Sequence, residues 1–159
     1  MVIKLITVGK LKEKYFREAA QEYEKRLGAY CRVEICEIEP AKLPDIPSDA
    51  EISRALEKEA EKILQKIPAG SFTIPMCIEG RQMSSEKFSE LIGKETANGR
   101  NTFVFIIGGS YGLSDKVKDA ADFKMSMSEM TFPHRLARVM LTEQLYRAFS
   151  LLRNGKYHK

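Results

Sequence analysis

Phe103-Val104-Phe105-Ile106-Ile107-Gly108-Gly109-Ser110-Tyr111-Gly112 holds the clearest buried-strand pattern in the chain. Five consecutive aromatic or β-branched residues predict a buried strand. The three glycines among the next five residues let backbone approach a neighbour closely and permit positive φ. That loop is either a tight strand-to-helix turn or a place where a ligand meets bare backbone.

At the N-terminal end, Val2 to Val8 predicts a second buried strand ending at Gly9. Phe16, Ala19, Ala20, Tyr23 and Leu27 then recur at helical spacing, with Gly28 as the stop. Val33, Ile35 and Ile38 predict a strand, and the prolines of the 40–47 segment predict a surface loop. Ser48 or Asp49 caps a helix carrying Ile52, Leu56, Ala60, Ile63 and Ile67 on one face. Phe72 to Ile78 predicts a strand whose Pro75 demands an irregular or edge position. A helix from Ser84 to about Ala97 stops at Asn98-Gly99. After the glycine loop come a short helix opened by Ser114, a weaker strand over Phe123 to Met127, and a last helix with Pro133 at its first position. The alternation β-α-β-α-β-α-β-α-β-α predicts an α/β fold, a mostly parallel sheet with helices on both faces. No repeat or second domain interrupts residues 1–159.

The last helix is apolar on too many sides for one sheet face. Leu136, Val139, Met140, Leu141, Leu145, Tyr146, Phe149, Leu151 and Leu152 form more than one stripe. A subunit interface explains the excess economically, and a deeply central helix is the other explanation.

Length and composition narrow the function. At 159 residues the chain supports a core without staples, and 43% hydrophobic with 30% charged residues is a globular composition. No apolar run is long enough to span a bilayer or serve as a signal peptide, so a cytoplasmic protein is expected. Cys31, Cys36 and Cys77 form no C-x-x-C pair, and with only His134 and His158 beside them no metal is expected. G-G-x-x-G is neither the dinucleotide fingerprint nor a phosphate loop, and no G-x-S-x-G elbow occurs.

Charge is uneven along the chain. Residues 1–32 carry eight basic and four acidic side chains, residues 33–62 four and nine, and residues 133–159 six basic and only Glu143 as acid. A basic end suits phosphate or is merely a solvated surface. In a parallel sheet ligands collect beyond the carboxyl ends of the strands, which selects the loops after Ile78, Ile107 and Met127. The loop Met127 to His134 combines apolar and small polar groups of a kind that can hold an adenine ring, although its methionines equally suit core filling. The tail Arg153-Asn154-Gly155-Lys156-Tyr157-His158-Lys159 gathers cations with two rings able to stack on a base or move protons.

Several stretches together carry a family resemblance. They are Val8-Gly9-Lys10-Leu11-Lys12-Glu13-Lys14-Tyr15, Glu22-Tyr23-Glu24-Lys25-Arg26-Leu27, Phe103 to Ser110, Met130-Thr131-Phe132-Pro133-His134, Glu143-Gln144-Leu145-Tyr146-Arg147-Ala148-Phe149 and Tyr157-His158-Lys159. Over essentially its full length the chain resembles the ribosomal RNA large subunit methyltransferase H family, minimal members of the SPOUT methyltransferases. The resemblance implies a homodimer with a C-terminal trefoil knot that binds S-adenosyl-L-methionine. It implies methylation of N3 of a pseudouridine in a 23S rRNA stem-loop on assembled ribosomes. By position, the cofactor contacts are Met76, Gly108, Met127, Ser128, Glu129, Met130, Thr131 and Phe132. This chain departs from the family's usual Leu at Met76 and usual Lys at Glu129.

The imide N3–H needs a base or acceptor, and the expected catalytic pair is Tyr157 and His158, with Arg135, Arg138, Arg153 and Lys156 expected to hold RNA. The competing class is a non-catalytic ribosome- or RNA-binding module of the same fold. A flavodoxin-like small-molecule enzyme is a third reading.

Overall fold

The computed structural model describes residues 1–153. Strand β1 (Val2–Val8) leads to helix α1 (Lys14–Leu27), then β2 (Arg32–Ile38), α2 (Asp49–Leu64), β3 (Phe72–Arg81), α3 (Ser85–Ala97), β4 (Thr102–Ile107), the short α4 (Asp115–Asp119) and α5 (His134–Leu152). The sheet order is β2-β1-β4-β3 and every pairing is parallel. All four strands therefore present their carboxyl ends to the same side. The doubly covered α/β architecture expected from the alternation is present.

Side-chain alternation divides the core in two. Ile3, Leu5, Phe103 and Phe105 face Leu27 of α1, Phe88 and Ile92 of α3, and Leu141 and Leu145 of α5. Ile6, Val8, Val104 and Ile106 face Ala60 and Ile63 of α2 and Val117 of α4. Helix starts follow local chemistry. Ser48 makes a reciprocal capping box with Glu51, and the Ser84 hydroxyl accepts from the Lys87 N–H. Pro133 is the N-cap of α5, one residue before its expected place.

The weaker strand expected over Phe123 to Met127 is not a strand. Only Met125 makes isolated bridges, to Met76 and Arg81. The segment runs beside β3, the edge strand that Pro75 called for. The Asp122 and Phe123 N–H groups donate to the Thr73 carbonyl, Arg81 N–H donates to the Lys124 carbonyl at 2.9 Å, and Ser126 N–H donates to Arg81 at 3.1 Å. Thr73 turns its peptide groups toward this segment, and by alternation so does Pro75, two residues on. Proline has no N–H to give, and between Thr73 and Arg81 only the single Met76–Met125 bridge forms.

The apolar excess of α5 is largely explained by its place between α1 and α3. Leu141, Leu145, Ala148 and Phe149 enter the core, while the Tyr146 ring packs on Tyr23 and Tyr30 with centroids 6.3 and 6.0 Å away. Ser89 of α3 donates to the Ala148 carbonyl at 2.9 Å. Leu136, Val139 and Met140 stay half-buried and Leu152 is exposed.

Candidate active site at the carboxyl ends of the strands

A cavity of about 1040 Å³ opens where β3 and β4 end, beside the start of α5. One wall is built by Met76, by Ile107 to Leu113 after β4, and by Ser126 to Ser128 and Met130 to Pro133 before α5. The other carries Glu13, Tyr15 and Phe16 from the start of α1 with His134 and Arg135 from the start of α5.

Bare backbone is a requirement of the first wall. A Cβ on Gly108 would lie 2.3 Å from the Gly112 carbonyl oxygen, and Gly112 itself has φ of 79°. The Gly112 N–H closes the turn by donating to Gly109 at 3.1 Å. Farther along, Ser126 Oγ donates to the Ser128 carbonyl at 2.9 Å, and Met130 N–H donates to Ser128 Oγ at 3.0 Å. The result is apolar side chains interleaved with polar backbone, which suits a flat heteroaromatic ring with hydrogen-bonding edges.

Of the residues expected to hold a cofactor, Met76, Gly108, Met127, Ser128, Met130, Thr131 and Phe132 line this cavity. Glu129 does not; it is exposed and outside the lining. Its position follows from the turn around Ser128, which places Ser128 and Met130 at the wall. The charge departure at Glu129 thus falls away from the cavity.

The expected RNA-contacting arginines separate. Arg135 lines the cavity and pairs with Glu13. Arg138 is a buried group, 7% exposed, rather than the surface cation expected to hold RNA. Its Nη1 donates to Glu37 at 2.8 Å and its Nη2 to Glu24 at 3.5 Å, because α5 packs its first turns against α1 and the end of β2. Arg153 is exposed at the opposite end of α5, stacked 4.8 Å from the Tyr30 ring centroid. Lys156, Tyr157 and His158 lie outside the described residues.

Residues missed in the sequence reading stand on the second wall. Glu13 is the N-cap of α1, yet its side chain makes no capping bond and turns instead to Arg135. Tyr15 is 65% exposed and packs on Phe16 at 4.6 Å between ring centroids. Lys10, Lys12, Lys14 and Arg17 around them are all exposed. The alternation of cations and rings over residues 10–17 was the available signal. His134 also belongs to this wall. Burial, then the adjacent Arg135, lowers its pKa against the opposing pull of Glu13, which keeps the imidazole neutral near pH 7.

Cysteine chemistry has little support here. Burial, reinforced by Glu79, raises the pKa of Cys77 at the cavity, and burial pushes Cys31 up to about 11. Among the described residues no group of three or more His, Cys, Asp or Glu could hold a metal ion. None of the described helices is long and apolar enough to cross a membrane.

A parallel α/β sheet with its cavity at a glycine loop and at the segment entering the last helix defines a class, and comparison with known proteins names it. A family model described as predicted SPOUT methyltransferase matches residues 1–158, and the chain belongs to that family. It is 49% identical to the ribosomal RNA large subunit methyltransferase H of Streptococcus sanguinis, with all of both chains covered. It is 48% identical, again over the whole of both, to the ribosomal RNA large subunit methyltransferase H 1 of Clostridium perfringens. Among solved structures, a probable methyltransferase from Bordetella pertussis superposes with a TM-score of 0.57 at 13% identity, covering 92% of this chain and 95% of that one. At that identity the likeness concerns the fold.

Proposed function

We propose that the protein is an rRNA methyltransferase that moves a methyl group from S-adenosyl-L-methionine to N3 of a pseudouridine in a 23S rRNA stem-loop on assembled ribosomes, working as a cytoplasmic homodimer with a C-terminal trefoil knot. One observation carries the reading. The cavity joins loops suited to a nucleoside with Tyr15 and Phe16 of α1, whose exposed neighbours along the chain, Lys12, Lys14 and Arg17, are cations suited to RNA.

Met76, Met127, Met130 and Phe132 would sandwich the adenine, while the peptide groups around Gly108 and Ser128 meet its edges. The cofactor, when bound, supplies a methyl group already activated by its sulfonium. The protein's task is then to position the base in line and remove the N3 proton. Lys10, Lys12, Lys14 and Arg17 approach phosphates, and Tyr15 offers a stacking face.

The length of α5 bears on the expected roles of Tyr157 and His158. Its 19 residues separate the cavity end from Arg153 by about 28 Å at 1.5 Å per residue. Five residues beyond Arg153 span at most about 18 Å. That reach is shorter than α5 itself, which supports a homodimer in which Tyr157, His158 and Lys156 serve the cavity of a second copy. The half-buried Leu136, Val139 and Met140 beside that cavity are the apolar surface such a partner would cover.

The test uses labelled S-adenosylmethionine with intact ribosomes or naked rRNA, followed by mapping of the modified nucleotide. Methyl on N3 of a pseudouridine in 23S rRNA is expected, with ribosomes preferred. Deleting residues 157–159 should abolish turnover while calorimetry shows cofactor affinity retained. A chain that binds ribosomes but neither binds the cofactor nor transfers methyl would instead be the non-catalytic module.

A further inference from the structure

We infer that a second, smaller cavity seats the target base, and that Glu59 Oε2 is the acceptor that tells pseudouridine from uridine. The inference rests on the proposed N3-methylation and adds a specificity residue to it.

This cavity of about 140 Å³ lies between the loop after β2, helix α2 and the glycine loop. A space of about 150 Å³ takes one benzene-sized ring. Its apolar walls are Val8, Pro40, Leu43, Ile52, Ala55 and Leu56. Gly109, Ser110, Tyr111 and His134 line both this cavity and the larger one, so a ring held here borders the proposed cofactor site.

One carboxylate lines the small cavity. Glu59 falls on the stripe of Ile52, Ala55, Leu56 and Ile63 along α2, where helical spacing calls for an apolar residue. It is 8% exposed. Its Oε1 accepts from the Ala41 N–H at 2.8 Å, while Oε2 has no hydrogen-bond partner. Unlike Glu13 Oε2, that free atom is not closed to water. A carboxylate set into an apolar wall is costly unless a donor completes its bonding. Such departures from local preference are expected at functional positions.

The chemistry of the donor follows. Uridine and pseudouridine present the same edge around N3: a carbonyl, the N3–H and a second carbonyl. They differ at one ring corner. Pseudouridine, joined to its ribose through carbon, carries N1–H where uridine carries C5–H. An acceptor reads that difference, because it gains a charge-assisted bond from N1–H and meets only a C–H in uridine. With uridine the carboxylate would lose water and gain no partner, which sharpens the discrimination. The ribose bond, N3 and N1 occupy alternate corners of the ring. N1–H can therefore meet Glu59 while N3 faces the larger cavity.

Ribosomes carrying pseudouridine or unmodified uridine at the mapped target position test the assignment. Wild type should methylate the pseudouridine ribosomes with kcat/KM about 10–100-fold higher, the range of one hydrogen bond to a charged group. Glu59→Gln keeps an oxygen for the Ala41 N–H and turns a donor toward N1–H. It should lower kcat/KM on pseudouridine ribosomes to the uridine level and leave the uridine rate unchanged, with cofactor affinity by calorimetry retained. Wild type alone gives a second readout: ribosomes assembled with N1-methylpseudouridine at the target should be refused, since the N1 proton is gone. Methylation of those ribosomes at the pseudouridine rate would overturn the assignment. So would a wild type without preference, or a preference kept in Glu59→Gln. A parallel loss on both ribosomes with cofactor affinity intact would reduce Glu59 to its bond with Ala41 and equally overturn it. Each of these results leaves the proposed function standing. If wild type methylates N3 on neither ribosome, the proposed function fails and the assignment with it.

Discussion

Replacing Arg138 by Met separates a structural from an RNA-binding role for the most buried cation of α5. The side chain is 9% exposed and ties α5 to Glu37 of β2 and Glu24 of α1. Breaking a buried pair by removing one partner costs about 3–5 kcal/mol when the other charge stays buried. Here the two carboxylates are 20% and 30% exposed and can recover some hydration. One bond is short at 2.8 Å and the other stretched to 3.5 Å. Methionine also fills the stem's space and removes the unpaired Nε. These offsets bring the expected loss to about 2 kcal/mol, near the range of a hydrogen bond to a charged group. For a chain of this size that lowers the melting temperature by about 4–8 °C. Calorimetric melts at low and high salt, beside ribosome-binding titrations, read the two roles separately. A melt within 1 °C of wild type together with a large loss of ribosome affinity would refute the structural assignment and restore Arg138 to the RNA surface.

Three further outcomes are expected. Gly108→Ala forces a Cβ to within 2.3 Å of the Gly112 carbonyl oxygen, so the turn must open at a cost of about 1–3 kcal/mol; a lower melt and at least tenfold weaker binding of S-adenosylmethionine should appear together in calorimetry. His134 has a pKa held below its ordinary value of 6.5, so just beneath pH 6.5 the unfolded chain binds more protons than the folded one. Stability should therefore rise with pH through that window, and urea titrations of His134→Gln should lose that share of the slope. Tyr15→Ala should remove a stacking contact of about 1–3 kcal/mol, weakening ribosome binding without altering cofactor affinity, and Tyr15→Phe should restore it; equal ribosome affinity for all three proteins would remove Tyr15 from the RNA surface.

How much was legible depended on whether the cause was local. The Val2–Val8 strand, the Ser48 cap and the strand running into Gly108 rest on patterns within a few residues, and the structure keeps them. Pro75 announced an edge strand correctly. Its second consequence, a pairing too sparse to make Phe123 to Met127 a strand, needed the two segments side by side. Met76, Gly108 and most of residues 127–132, named as cofactor contacts through the family resemblance, line the cavity at the strand ends. The exposure of Glu129 depended on the turn built around Ser128.

Local sequence dictates an α/β parallel sheet, because five-residue apolar runs and helical spacings are written within each element. It also determined where bare backbone could meet a ligand, since glycine is readable residue by residue. Which charges are buried and which are free depends on long-range packing. Arg135 and Arg138 sit three residues apart on one helix, yet one meets Glu13 at the cavity and the other disappears between Glu24 and Glu37. Those partners lie between 101 and 122 residues away along the chain. A cation's role is set by the dielectric and the partners around it, and folding alone brings those together.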